Sequence, residues 1–173
     1  MPAPVSIART HVHSLRLRSG AEALVARVLT ADGVAGFGFT LNLEAAVARD
    51  MAAWDALARA RNVPFYALFG MRRRDSVSVV TKTELPHVDP FAAGSVEAAR
   101  SMAQSAGAAL ALVAPNAHPW EIAFCAALAA TLAAGRVCIL VPAEPSTLCV
   151  TVPETAGVGV NWSLEPGFAA IGW

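Results

Sequence analysis

The sequence predicts an α/β protein with an α+β N-terminal part, and three observations predict it. Up to Thr40, apolar residues alternate in short runs separated by glycine-bearing turns, the pattern of an antiparallel meander. Between Asn42 and Arg61 the apolar spacing changes to three and four residues, which is helical. From Val77 onward, strand-like and helix-like runs alternate, and βαβαβ order implies parallel strands with helical crossovers.

Residues 5–17, 23–30 and 34–40 read as the three strands of the meander. Ala31-Asp32-Gly33 makes a tight turn, because Asp-Gly supplies the positive φ that a hairpin needs. Asn42 is placed to cap a helix over Leu43–Arg61, with Val47, Met51, Trp54, Leu57 and Ala58 on its apolar face. Asn62 ends it and Pro64 forbids its continuation. Phe65–Phe69 reads as one short helical turn stopped by Gly70. Val77–Lys82 is a strand, and Ser95 caps a helix to Ser105. Ala108–Val113 is the next strand. Asn116 or His118, followed by Pro119, starts a helix that ends at Gly135. Val137–Val141 is the third strand. In the tail, Cys149–Val152 and Val158–Trp162 have strand character, with no helix after them.

Composition narrows the function classes. Only 15% of residues are charged against 55% hydrophobic, the reverse of a disordered chain. The formal net charge is zero, so no global field draws nucleic acid or an anionic membrane, and neither is expected as a partner. The one basic run, Arg72-Arg73-Arg74, reads as a solvated loop rather than a phosphate site. Cys125, Cys138 and Cys149 lack CxxC spacing and suggest neither a metal cluster nor a disulfide framework. The first residues lack an apolar signal core, and the uncharged run Ile122–Gly135 is short for a membrane span of roughly 20 residues. A cytoplasmic protein is expected.

The stretch from Trp54 to Gly70 is the most specific motif. A helix carrying a buried Trp54-Asp55 pair runs into Val63-Pro64-x-Tyr66-x-Leu68-x-Gly70, and an Arg-rich loop then leads to the strand at Val77. This resembles the junction between capping domain and barrel in the mandelate racemase/muconate lactonizing branch of the enolase superfamily. Thr30 to Gly38 is similar to the same family's turn and Gly-aromatic-Gly strand, here Gly36-Phe37-Gly38. Phe39 stands where the family commonly has glutamate. The helix beginning at Ser95, and Pro153 to Val160, resemble later family segments, the last with Ala156 for a proline.

The resemblance implies an abbreviated capping domain over 1–75 and a partial βα-barrel domain with a tail over 76–173. A βαβ unit takes roughly 30 residues and a closed eight-stranded barrel about 250. Residues 77–173 therefore suffice for a barrel fragment of about three parallel strands. The family removes a proton α to a carboxylate, using a lysine or histidine base and a magnesium ion that stabilises the enediolate. Its Lys-x-Lys strand corresponds to Ala108–Ala114, which has no lysine; Lys82 is the only lysine of the chain. Val141-Pro142-Ala143-Glu144 resembles the family's Val-Asp-Ala-Asn, so Pro142 takes the place of the first acidic ligand. No cofactor is expected, and magnesium only if the family chemistry survives.

If a site survives, the carboxyl ends of the parallel strands are where it lies. The candidates there are Lys82 and Glu84, two apart and so sharing a side of the strand, with His87 and Asp89 in the following loop and Glu144 past the third strand. The alternative is a polar loop with ordinary surface charges. His11 and His13, two apart on the first strand, have a spacing that can bind zinc, but nothing else is placed to complete such a site. His118 reads as capping or turn chemistry. Gly36-Phe37-Gly38 lacks the features of a phosphate loop, and there is no Gly-x-Ser-x-Gly elbow.

Between Glu121 and Arg136 no residue is charged, so the helix there lacks a polar face. Either the chain's own remainder or another subunit must cover it, and a barrel fragment also leaves strand edges open. Both point to a homo-oligomer. Three readings follow. The first is a shortened, oligomeric family-like pseudoenzyme with a structural or ligand-binding role, its ligand a small-molecule acid. The second is an isomerase or lyase with a site rebuilt at a subunit interface from Lys82, Glu84 and Glu144. The third is a true racemase, cycloisomerase or sugar-acid dehydratase, against which the single lysine argues.

Overall fold

A computed structural model of the chain describes residues 5–107, 109–133, 135–143 and 147–173. The N-terminal meander is β1 (Ile7–Arg16), β2 (Glu22–Thr30) and β3 (Ala35–Thr40), antiparallel and in that spatial order. Each hairpin turns at a glycine with positive φ, Gly20 at +85° and Gly33 at +82°.

Helix α1 (Ala45–Ala60) lies on one face of this sheet. The two glycines of β3 explain how closely. A Cβ on Gly36 would strike the Ala52 carbonyl and the Ala56 backbone, and one on Gly38 the Ala48 carbonyl and the Ala52 amide. The helix meets β3 through Ala48, Ala52 and Ala56, all fully buried beside Ala26 and Val28. Strand alternation sends Phe37 and Phe39 to the opposite face. The helix begins later than its sequence suggests: Glu44, not Asn42, occupies the N-cap position, because Leu43 has φ of +59°. Its other end is as expected, with Asn62 left-handed at +52° and a 3₁₀ turn over Phe65–Leu68.

The second sheet is larger than the three strands read from sequence. It contains β4 (Ser76–Val80), β5 (His87–Val88), β6 (Leu110–Val113), β7 (Val137–Leu140) and β8 (Cys149–Thr151), in the order β5-β6-β7-β4-β8. The first four are parallel, and β8 is antiparallel to β4. Serial winding would seat β4 beside β6; here β7 separates them. In β4, Val77 and Val79 are buried but Ser76 and Ser78 exposed, whereas Leu110, Ala111 and Leu112 of β6 and Val137, Cys138 and Ile139 of β7 are all buried. Strands apolar on both faces take the middle of a parallel sheet.

Helix α2 (Val96–Ser105) is capped by Ser95, whose hydroxyl accepts from the Ala98 N–H at 3.2 Å; Asp50 of α1 accepts from the Val96 N–H at 2.6 Å and ties the two helices. Helix α3 (Pro119–Ala129) stops short of Gly135. The Arg73 N–H donates to the Ala130 carbonyl at 2.7 Å, and the Arg74 guanidinium donates to the Leu132 and Ala133 carbonyls, so this loop satisfies carbonyls just past the helix end. Arg72 pairs with Asp75 and Glu154. α3 packs on β4, β6, β7, β8 and the 65–68 turn. Trp120, Glu121 and Phe124 to Ala129 are buried. The chain itself therefore covers its most apolar helix, which removes one of the two grounds for expecting an oligomer.

The Val158–Trp162 segment is not a strand. Gly157 and Gly159, at φ of +88° and +73°, turn the backbone, and the Val158 N–H bonds to a side chain instead of a neighbouring strand. A 3₁₀ turn (Trp162–Leu164) and the short α4 (Pro166–Ala169) follow, where no helix was expected. They pack on the sheet face opposite α1: Trp162, Phe168 and Trp173 lie 5.6–5.7 Å from the Phe37 ring. One hydrophobic core runs from Leu15 to Val160 across both sheets. No helix among the described residues is long and apolar enough to cross a membrane.

Gly38→Ala forces a Cβ into the backbone of α1, and overpacking of this kind costs about 1–3 kcal/mol. Urea unfolding should show a lower midpoint at unchanged slope. Leu128→Asp buries an unpaired carboxylate among core residues. It should abolish the far-UV circular dichroism of a folded chain rather than split an assembly.

Candidate functional site

Lys82 and Glu84 lie beyond the end of β4, in the loop that leads to β5, and both are exposed. Lys82 lines a cavity of about 330 Å³ with Ser78, Val80, Thr83, Leu85, Arg136 and Cys138; Glu84 is not among its walls. His87 is exposed on β5, one position along the edge from buried Val88. Asp89 turns inward and accepts from the Phe91 and Ala92 amides at 2.8 and 3.2 Å, so its carboxylate holds a turn. Glu144 lies outside the described residues. Burial pushes the Cys138 thiol up, partly offset by the Thr83 hydroxyl and the Arg136 charge. Among the described residues neither Lys82 nor Arg136 has an ion-pair partner.

His118 shows why a conspicuous histidine is not a free base. Its Nδ1 accepts from the Trp120 N–H at 3.1 Å, and Glu121 reaches back to the His118 amide, closing a capping box at the start of α3. The ring proton is therefore assigned to Nε2, which donates to Glu165 Oε1 at 2.9 Å. Both ring nitrogens are engaged. Burial alone would raise the Glu165 carboxyl, but the His118 ring and the Arg18 amide outweigh it and hold the group below its ordinary value. Glu121 goes the other way: burial raises it, and the Asn116 amide and side chain pull it only part of the way back. Glu165 is absent from the sequence-derived candidates, and its only signal is its position before Pro166.

A larger groove, about 880 Å³, runs between α3 and the β8–Gly159 segment. Its walls include Ile122, Ala123, Val150, Val152, Pro153 and Thr155. Among the described residues its one carboxylate is Glu154, which is engaged with Arg72. Such a surface suits apolar contact.

His11 and His13 stack at 6.3 Å with planes 4° apart, and the Trp173 ring stands edge-on to His13 at 4.9 Å. Among the described residues, no group of three potential metal ligands forms there or elsewhere. A magnesium cage needs several oxygen ligands in octahedral array. The carboxyl ends of the parallel strands carry Val80, Val88, Val113 and Leu140, and Pro142 is exposed with no ligand atom in its side chain. These residues do not fit the metal that the sequence resemblance implies.

Asp55, half of the Trp-Asp pair, is fully enclosed, whereas Trp54 is only half-buried, against Phe65 and Phe69. Asp55 accepts from the Phe37 amide at 2.8 Å, the Val158 amide at 2.7 Å and Arg59 Nε at 2.6 Å. Burial raises its carboxyl, and Arg59 and the two amides oppose that without cancelling it. A Cβ on Gly157 would collide with this carboxylate.

No protein-family model matches the chain, and no curated protein matches it. Solved structures do. The chain is similar to the muconate lactonizing enzyme from Pseudomonas putida, at 16% identity over 78% of this chain and 51% of that one, with a TM-score of 0.38. It is similar to the muconate cycloisomerase from Pseudomonas fluorescens, at 15% identity over 72% and 48%, TM-score 0.41. It is also similar to a mandelate racemase/muconate lactonizing enzyme from Jannaschia sp. CCS1, at 16% identity over 78% and 54%, TM-score 0.40. The chain spans about half the length of these solved structures.

Asp55→Ala strands two buried amides, at about 1–3 kcal/mol each, and should lower unfolding free energy by about 2–5 kcal/mol in urea titration. Because the Glu165 carboxyl is lowered in the folded state, its stabilisation is complete above the unfolded value of about 4.3 and is lost as pH falls through the folded value. Glu165→Gln should therefore be less stable than the native chain at neutral pH. The gap should close in the acid limb of a pH–stability series.

Proposed function

We propose that this chain is an enolase-superfamily-like protein of the mandelate racemase/muconate lactonizing type that no longer performs metal-dependent α-proton abstraction. It acts as a homo-oligomer in a structural or ligand-binding role. The observation that carries this reading is the apolar character of the parallel-strand ends, Val80, Val88, Val113 and Leu140, with Pro142 at the place matched to an acidic ligand. Proton abstraction beside a carboxylate needs a base within hydrogen-bond reach and a charge to stabilise the product anion. Among the described residues, those four strand-terminal positions supply neither, and Lys82 and Glu84 lie further on in the exposed loop after β4. The motifs that carry the resemblance have tertiary work instead: Gly36 and Gly38 admit α1, and Asp55 with Gly157 joins three segments.

The ligand that best fits the chain's free polar groups is a small carboxylic acid. The Lys82 cavity offers two cations, Lys82 and Arg136, two hydroxyls, Ser78 and Thr83, and apolar contacts from Val80 and Leu85. A cationic rim with an apolar floor pairs a carboxylate head with a hydrocarbon body. Lys82, exposed and without an ion-pair partner among the described residues, also motivates the second reading, an isomerase or lyase with a site rebuilt between subunits from Lys82, Glu84 and Glu144.

Two measurements separate the readings. Proton NMR in D₂O with a panel of α-hydroxy and aryl carboxylates, with and without magnesium, should show no α-proton exchange above the buffer rate. Exchange that disappears in Lys82→Ala would establish the second reading and end the first. Calorimetric titration with benzoate should give binding that Lys82→Ala and Arg136→Ala each weaken at least tenfold. Equal affinity in all three proteins would remove this cavity as the ligand site.

A further inference from the structure

We propose that β1 is the subunit interface: a second copy of the chain pairs antiparallel with it across a two-fold axis at Val12. This names the contact surface of the homo-oligomer proposed above and rests on that reading.

The hydrogen-bond parity of the meander carries the inference. The Leu17 N–H donates to the Ala21 carbonyl at 2.8 Å, and the Gly20 N–H returns to the Leu17 carbonyl at 2.9 Å, so Leu17 and Ala21 close the first hairpin as a bonded pair. The register continues as Leu15 with Ala23, His13 with Val25 and His11 with Arg27. Bonded and non-bonded pairs alternate in an antiparallel ladder. Over residues 9–15 the odd-numbered residues therefore point their amides and carbonyls at β2, and Thr10, Val12 and Ser14 point theirs away from the sheet; the parity changes at the register shift between Ile7 and Arg9, before which the Ser6 carbonyl accepts from the Ala31 amide. Those groups have no partner among the described residues, since β1 is the outer strand.

The edges of the second sheet differ. They are β5, of two residues, and β8, of three, and short edge strands are a recognised protection against pairing. β1 has ten residues and is mostly exposed. Residues 9–16, past the register shift, form a regular row with an unpaired edge, a template for another strand.

The sequence of β1 makes a second copy the fitting strand. A two-fold axis at Val12 bonds Val12 to its own counterpart and Thr10 to the partner's Ser14. β-Branched pairs and hydroxyl pairs are both favourable across strands. Arg9 then faces the partner's Leu15, so no two like charges stand opposite each other. His11 faces the partner's His13 in the closely spaced non-bonded position, where Cα atoms lie about 4.5 Å apart. Side-chain faces are kept, because the pairing shifts by whole two-residue steps. The result is one six-stranded antiparallel sheet across the dimer, with α1 on one face and the aromatic C-terminal segment on the other.

The test uses sedimentation and cross-linking of the full chain. The native protein should be dimeric at micromolar concentration. Val12→Pro removes the central outward N–H at a position where an edge strand tolerates proline; Thr10→Lys with Ser14→Lys places like charges opposite each other at exposed positions. Both variants should keep the native circular dichroism and sediment as monomers. If Val12→Pro fails to fold, the exposed double-lysine variant decides. For the register, His11→Cys and His13→Cys are made separately in a Cys149→Ser background. An oxidised mixture should give a disulfide-linked dimer, and neither variant alone should. A dimer linked by His11→Cys alone, or by His13→Cys alone, overturns the axis at Val12. An oligomer that survives the double-lysine substitution overturns the β1 interface while leaving the oligomeric reading in place. A native chain that sediments as a monomer overturns both.

Discussion

Three segments distant in sequence meet at one carboxylate, and the arrangement of the molecule depends on it. Asp55 sits in the middle of α1, accepts from the amide of Phe37 in β3 and from the amide of Val158 near the C-terminus, and is bridged by Arg59 one turn along its own helix. A buried carboxylate without donors would be prohibitive, and donors without the carboxylate would be buried and unpaired. The constraint extends to its surroundings. Gly157 must lack a side chain for the C-terminal segment to come this close, and Gly36 must lack one for α1 to rest on β3. The Val63-Pro64 turn closes the same junction, since the Phe65 amide donates to the Gly157 carbonyl and the Gly157 amide to the Val63 carbonyl.

From that junction outward, aromatic rings join the two sheets. Phe39 lies 5.5 Å from Trp120, Trp120 lies 4.7 Å from Trp162, and Phe91 and Phe65 both contact Phe124 at 5.5–5.6 Å. Tilted and edge-on geometries of this kind are the favoured ones for aromatic pairs. Phe39 is completely buried and supplies a ring to the core, against Phe91 and Trp120. Helix α3 packs between this seam and the parallel sheet, with Ile122 and Ala123 left facing the groove.

Several inward-facing carboxylates of the described residues are committed: Asp50 and Glu121 bond helix-start amides, Asp55 joins segments, and Glu165 with His118 fastens α4 to the start of α3. Lys82 and Glu84 are exposed, while His13 Nε2 is buried without a hydrogen-bond partner among the described residues. A buried group whose hydrogen bonds are all structural has no capacity left to exchange a proton with a substrate. Chemistry, if the chain performs any, falls to the exposed loops, and binding falls to the Lys82 cavity and the groove beside α3.

The sequence by itself determined the elements whose signals are local. The meander, its Asp-Gly turn, α1 with its Asn62 stop, the 65–68 turn, α2 with its Ser95 cap and the cap at His118 all arise from backbone preferences within a few residues, so their residue types announce them. The tertiary structure decided what depends on partners remote in the chain. Neither β5, of two residues, nor the pairing of β8 with β4 has a periodicity to read, because strand order is set by which strands are apolar on both faces. The strand expected over Val158–Trp162 was lost to a hydrogen bond with Asp55, 103 residues away. The cover over α3 could not be inferred from its composition, since an apolar helix looks the same whether its own chain or another buries it. Of the site candidates, sequence placed Lys82 near the end of β4. Only the fold put Arg136, from the start of β7, across the same cavity, since parallel strands bring together residues whose spacing in the sequence carries no trace of their meeting.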